Sequence, residues 1–239
     1  MQIERTYNFP EGEILLIDKP AGWTSFDVVN KIRHMLRHYL MIKKIKVGHA
    51  GTLDPLATGL LLVCVGKATK QISTFTGLDK EYTGIMFIGA RTASYDLETE
   101  VEEEYDTRHI KENDILEETN QFMGTIMQKP PAFSAIKING TRAYRLAREK
   151  EEVDIPPREV QIHEFEITDP GLPETSFRVL CSKGTYIRSL VHDFGKALGS
   201  GAYLKFLRRT RIGSYHIDDA ISIEDLEKVL SDLTPDKSE

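Results

Sequence analysis

The apolar positions of this chain fall into blocks whose spacing switches between about two and 3.6 residues. Glu13 to Lys19 (EILLIDK) is a short apolar run halted by Pro20-Ala21-Gly22, which predicts a strand ending in a turn. Thr24, with Asp27 three residues on, has the form of a capping box. It opens a predicted helix whose apolar positions are Val28/Val29, Ile32, Met35/Leu36 and Tyr39/Leu40. Gly48 to Gly59 reads as a glycine-punctuated loop, and the unbroken run Leu60 to Val65 as a buried strand. Further strands are predicted over Lys80 to Gly89, 158–168 and 175–183. The stretch 97–118 is predicted to be an acidic surface loop leading into a helix near 111–123. Ile187, Leu190, Val191, Phe194, Ala197 and Leu198 recur at helical spacing, and Gly199-Ser200-Gly201 ends that run as a C-cap would. A strand through Ala202 to Arg209 and a helix over 222–231 complete the series. Strands and helices do not alternate strictly, so the expected class is α+β with a mixed, mostly antiparallel sheet. No repeat or linker interrupts the 239 residues. Residues 1–230 are therefore expected to form one catalytic domain, with 231–239 a flexible polar tail.

Composition narrows the function. The N-terminus lacks the basic patch and apolar core of a secretory signal. The longest apolar run, Leu60 to Val65, is far short of the ~20 residues a spanning helix needs. A soluble cytoplasmic protein is expected. Cys64 and Cys181 sit apart in apolar segments and the histidines are scattered, so reduced buried thiols and no metal site are expected. The formal charge of -6 is unevenly placed. Residues 97–118 hold ten Asp/Glu against two Lys/Arg and 218–239 hold eight against two, leaving the rest of the chain with an excess of eight positive charges. Within that remainder, 31–46 has six Lys/Arg and no acid, and 205–211 has four in seven. Solvated faces would account for either stretch alone; two together point to a polyanionic partner.

Four segments could carry chemistry. Val47 to Gly59 (VGHAGTLDPLATG) has neither a phosphate-loop lysine motif nor a GxGxxG opening a helix, so it does not read as a nucleotide site. It offers one acid, Asp54, between flanking glycines, with Pro55 biasing its backbone toward extended conformations; a turn-capping Asp is the plain alternative. In Ser182-Lys183-Gly184-Thr185-Tyr186-Ile187-Arg188, a Thr185 cap would put Arg188 in a first helical turn, where the dipole disfavours a cation. Arg188 there calls for an anion, either a surface partner or a buried carboxylate held bidentately. Tyr82 begins a strand, where a tyrosine is ordinarily core or sheet surface, and Lys19 ends one.

Taken in order, these segments resemble the TruB family of tRNA pseudouridine synthases. The resemblance is carried by LLIDKPAGWTSFDVV (15–29), GHAGTLDPLATGLL (48–61), GKATK (66–70), KEYTG (80–84), GARTASYDLE (89–98), KPPAFSAIKINGTRAY (129–144), SKGTYIRSL (182–190) and YLKFLRRTRIG (203–213). It implies the pseudouridine synthase fold, with flanking helices and a central RNA-binding cleft, acting on uridine 55 of the T loop without a cofactor. It also implies roles. Asp54 is the catalytic aspartate, Arg188 the arginine that pairs with it, and Tyr82 the tyrosine that stacks on the flipped base. His49 fills the space that base leaves. Lys19, Pro20, Tyr186 and Leu207 line the pocket, with Lys70 and Asp96 in its supporting network. Ala50 stands where Thr or Gly is common in the family. Most bacterial members continue into a PUA domain, and a short form without one is expected here. Lys43, Lys44, Lys46, Arg208 and Arg209 are expected to hold RNA phosphates, and the tRNA T stem-loop to be bound by a monomer.

The residue types suit the reaction. Moving the glycosidic bond from N1 to C5 of uracil exchanges no electrons and no phosphate, so one carboxylate suffices. It could attack C1′, add to C6 or remove a sugar proton, and the sequence leaves these three open. Two other readings remain at this level. One is a non-catalytic RNA-binding module. The other is a glycosidase with Asp96 as the second acid that such enzymes need.

Overall fold

The computed structural model describes residues 7–41, 43–138, 140–149, 151 and 153–233. Packing divides the chain into two compact units, one holding residues up to Leu78 and from Arg208 onward, the other Asp79–Leu207.

The first unit opens with β1 (Glu13–Lys19), α1 (Ser25–Tyr39), β2 (Val47–Ala50), β3 (Thr58–Val65) and α2 (Ile72–Gly77), with a 3-10 turn over Gly66–Gln71. The capping box at α1 forms as expected. Thr24 Oγ1 accepts from the Asp27 N–H at 3.1 Å, and Asp27 accepts from the Thr24 N–H at 2.9 Å. β1 runs antiparallel to β3 from Glu13↔Val65 to Lys19↔Gly59, and β2 runs antiparallel to β3 from Val47↔Val65 to Ala50↔Leu62. Alternate residues of β3 enter two different cores. Leu61, Val63 and Val65 pack with Val28, Ile32 and Leu36 of α1, while Leu60, Leu62 and Cys64 pack with Phe75 and Ile212. A strand buried on both faces has no polar alternation to display, which is why 60–65 is apolar throughout. The expected loop over 48–59 is shorter than its glycines suggest: 48–50 belong to β2, and the loop proper is 51–57.

The second unit contains β4 (Lys80–Ile88), β5 (Ala90–Thr92), β6 (Val101–Glu104), α3 (Glu112–Glu118), β7 (Gly124–Gln128), β8 (Lys137–Ile138), β9 (Thr141–Arg142), α4 (Ala143–Arg148), β10 (Arg158–Asp169), β11 (Glu174–Cys181), α5 (Ile187–Ala197) and the start of β12 (Ala202–Ile212). β4, β11, β10 and β7 lie in that order, each pair antiparallel. α5 packs on this sheet through Phe194, 5.5 Å from the Phe165 ring, which meets Phe177 edge-on at 6.0 Å. The acidic stretch 97–118 is not simply loop. β6 within it is exposed along its length and pairs with β5, and Arg91 bridges to Glu103 at 2.9 Å. An exposed edge strand rich in Glu is charged enough to discourage edge-to-edge association. The predicted helix there shortens to α3 and a 3-10 turn over Thr119–Phe122.

The chain then returns to the first unit. Arg208 and Arg209 of β12 pair in parallel with Thr58 and Gly59, β13 (Tyr215–His216) folds back on β12, and α6 (Ile223–Asp232) adds Ile223, Leu226 and Leu230 to the α1 core. Of the expected tail, Ser231 and Asp232 are helical, and 234–239 lie outside the described residues. Both cysteines are free and buried. The described residues are thus α+β with sheets that are mostly antiparallel, and no described helix is long and apolar enough to cross a membrane.

Candidate active site

Asp54 sits in the loop joining β2 to β3, and the backbone around it is tied down residue by residue. On one side, Ser25 Oγ donates to the Leu53 carbonyl at 3.1 Å and accepts from the Leu53 N–H at 2.9 Å. On the other, the Pro55 carbonyl accepts from the Gly22 N–H at 2.8 Å and from Lys19 Nζ at 3.2 Å. The loop closes on itself where the Ala57 N–H donates to the Asp54 carbonyl at 3.1 Å. These bonds leave the chain little freedom at Asp54, the arrangement expected where a carboxylate must be aimed rather than merely solvated.

Two cations lie beneath the loop. Lys19 is fully buried, and its ammonium also donates to the carbonyls of Pro20 at 2.9 Å and Trp23 at 2.6 Å. Its three N–H donors are therefore all engaged by backbone, so Lys19 does not line the pocket as a free donor but fixes the turn and the loop together. Burial pulls its pKa down to about 8. The Asp54 charge opposes that shift, and Arg209 adds to it. Arg209 is also buried, donating from Nε to the Leu60 carbonyl at 2.7 Å and from its terminal nitrogen to the Gly51 carbonyl at 3.1 Å. His49, on β2, is held neutral-leaning by burial first and by the Arg209 charge second.

The second unit assembles its own cluster around the start of α5. Tyr186, not Thr185, is the N-cap residue, and no side chain caps the helix there; Thr185 Oγ1 instead donates to the Ser182 carbonyl. The cap is replaced by Gln128 at the end of β7, whose amide accepts from the Tyr186 N–H at 2.8 Å and donates to the Tyr186 carbonyl at 3.0 Å. Arg158 lies 4.7 Å over the Tyr186 ring. Arg188 is buried in the first turn, as expected. It donates to the carbonyls of Ser94 at 3.0 Å and Phe133 at 2.9 Å and stands 3.6 Å from Asp96, the anion this cation required. Asp96 in turn accepts from the Glu98 N–H at 3.0 Å. Tyr95, between Ser94 and Asp96, has a left-handed backbone (φ 64°) and stacks at 3.8 Å on His192, one turn beyond Arg188 on α5.

Residues 37–187 match the TruB family pseudouridylate synthase N-terminal domain, and 188–238 match the tRNA pseudouridylate synthase B C-terminal domain. The chain belongs to the TruB family of pseudouridylate synthases. It is 58% identical over 221 residues to the tRNA pseudouridine synthase B of Flavobacterium johnsoniae, covering 92% of this chain and 96% of that one. The enzyme of the same name from Phocaeicola vulgatus is 52% identical over 217 residues, covering 91% and 92%. Among solved structures, this TruB-family chain is similar to one in a Cbf5-Nop10-Gar1 complex, with TM-score 0.70 and 32% identity over 92% of this chain. A chain of an H/ACA RNP bound to a substrate RNA containing 2′-deoxyuridine gives TM-score 0.67 and 29% identity. The chain spans about half the length of those two solved chains, 54% and 53%.

The residues to which the TruB resemblance gives roles thus divide. Lys19, Pro20, His49, Asp54 and Lys70 belong to the first unit, and Tyr82, Asp96, Tyr186, Arg188 and Leu207 to the second. Tyr82 and Leu207 are buried strand residues, while Lys70 is exposed at the end of its 3-10 turn. The expected phosphate contacts need one correction. Arg209 is buried and spent on carbonyls, so it presents no charge to a backbone phosphate. Arg208 is part-exposed with both terminal nitrogens on Asp18, at 2.7 and 3.1 Å, and Lys205 pairs with Glu174. Lys43, Lys44 and Lys46 lie exposed between α1 and β2, past the end of the helix. Ser25 and Gln128 were not singled out by the sequence. Among the described residues no group of three or more His, Cys, Asp or Glu is placed to hold a metal ion.

Proposed function

We propose that this TruB-family protein isomerises uridine 55 in the T loop of tRNA to pseudouridine, with Asp54 as the catalytic carboxylate. The observation that carries the reading is the Asp54 loop, a single acid whose flanking residues are each fixed by buried donors and acceptors. The substrate base must leave its stack, at a cost of a few kcal/mol. Tyr82 stacking on it would return ~1–3 kcal/mol, and His49 would occupy the vacated place. Asp54 then acts on C1′, on C6 or on a sugar proton, the N1–C1′ bond breaks, uracil turns, and C5 joins C1′. Arg188 serves the same reaction as a buried cation held by the Ser94 and Phe133 carbonyls beside Asp96. The chemistry moves neither electrons nor phosphate, so the proposed enzyme needs no cofactor. It works as a cytoplasmic monomer, where tRNA is matured. Lys43, Lys44 and Lys46 hold phosphates and leave recognition to the shape of the T loop, while Arg208 is engaged by Asp18.

The test is pseudouridine formation in a T-arm RNA, read by carbodiimide adduct and primer extension. Asp54→Asn is expected to abolish it while RNA binding stays within about tenfold, ~1.4 kcal/mol. Turnover by this variant above a hundredth of wild type refutes the assignment.

A further inference from the structure

We propose that Arg209 is a positioning residue that closes the mouth of the Asp54 hairpin. The inference rests on Asp54 being the catalytic carboxylate. The β2–β3 ladder ends at Ala50↔Leu62. Past that rung the two arms separate to make the Asp54 loop, and the carbonyls of Gly51 and Leu60 lose the partners a longer hairpin would give them. One guanidinium supplies both, through Nε to Leu60 and a terminal nitrogen to Gly51. Two donors in a rigid plane can span such a gap; a lysine ammonium at the end of a flexible stem cannot hold it in the same way.

The backbone of Arg209 fixes the loop exit as well. It pairs in parallel with Gly59, whose φ is +100° and where a Cβ would come within 2.3 Å of the Arg209 carbonyl oxygen. The entry at Gly51 and the exit at Gly59 and Leu60 are therefore gripped by one residue. Burial without an ion pair is unusual for arginine, and the described residues place no carboxylate in ion-pair range of Arg209. Its field falls on the other buried cation beneath this loop, Lys19, which also senses Asp54. The underside of the loop is thus lined by two positive charges, one of them tied to the Gly51 and Leu60 carbonyls and the other to the Pro55 carbonyl.

The test uses the full-length protein and T-arm RNA with Arg209→Met and Arg209→Lys. Kcat at saturating RNA is expected to fall at least tenfold in Arg209→Met, about 1.4 kcal/mol of barrier, with RNA affinity within threefold of wild type. Arg209→Lys is expected to rescue little, because the charge returns without the two-pronged bond. The slope of log K against log salt should not change, since no phosphate is lost. The alkaline limb of the kcat profile should move to higher pH in Arg209→Met, because removing this charge relieves Lys19. If Arg209→Met shows no cooperative urea transition, Arg209→Lys carries the kcat, RNA-affinity and salt-slope comparisons, with the alkaline limb unmoved because the charge is kept. Wild-type kcat in a folded variant overturns the proposal. So does a salt slope reduced by about 0.7 to 0.9, the value of one lost phosphate contact. Asp54→Asn run alongside separates the two ideas, because its activity tests the catalytic assignment whatever Arg209 does.

Discussion

Lys19 gives a prediction in which activity and stability move in opposite directions. Its pKa in the fold is about 8 against an ordinary value of 10.5. Holding the ammonium in place at neutral pH therefore costs about 3 kcal/mol, at 1.36 kcal/mol per unit. Between pH 8 and 10.5 the unfolded chain keeps this proton and the folded chain has lost it. Stability contributed by Lys19 must then rise with pH, by about 2 kcal/mol between pH 7.5 and 10. The site should respond in the other sense. A neutral amine has two donors for the three carbonyls of Pro20, Trp23 and Pro55, and the positive charge under Asp54 is gone. Kcat at saturating RNA should fall as pH rises through about 8. Urea unfolding of wild type and Lys19→Met at pH 7.5 and 10 isolates the first effect, and a pH–rate profile the second. A wild-type minus variant stability difference that does not change with pH would refute the assignment of the titration. A kcat that is flat from pH 7 to 9.5 would show that the charge of Lys19 does not matter to the loop.

Two further outcomes are expected. Ser25→Ala strips the N–H and the carbonyl of Leu53 of their shared buried partner, so stability should drop by about 1–3 kcal/mol and kcat should fall more than RNA affinity; urea melts with steady-state kinetics check this, and an unchanged kcat in the destabilised variant would show that the loop does not depend on that tie. Replacing Lys43, Lys44 and Lys46 together with Gln should flatten the salt slope of RNA binding by up to ~2–3 units while kcat holds, and an unchanged slope would make these lysines a solvated face.

Much of the framework was legible because it rests on local patterns. The Thr24/Asp27 box, the two-sided apolar run of β3 and the α5 spacing through Leu198 each reflect a constraint that acts within a few residues. The misread elements were governed by contacts far apart in sequence. Gly48 looks like loop punctuation, yet it lies in β2 with a Cβ position only 2.8 Å from the Ile72 side chain. Its glycine serves close packing of strand on helix, and nothing in the neighbouring residues distinguishes that use from a turn. The Gln128 clamp is hidden for the same reason, since its partner Tyr186 is 58 residues away.

Charge was the least readable property, and the two basic stretches show why. Composition registers a cation but not what faces it. In 205–211 strand geometry turns alternate side chains to opposite faces, and all four cations meet a partner of their own unit: Lys205 meets Glu174, Arg208 meets Asp18, Arg209 meets two carbonyls and Arg211 meets the Gly213 carbonyl. In 43–46 the lysines follow a helix end, stand exposed, and form no ion pair among the described residues. Locally dense Lys and Arg thus give an internal brace in one place and a surface charge in the other. An excess of positive charge found by counting is consequently an upper bound on what RNA can meet. The salt slope of binding measures the part that remains, since only a cation that neutralises a phosphate contributes to it.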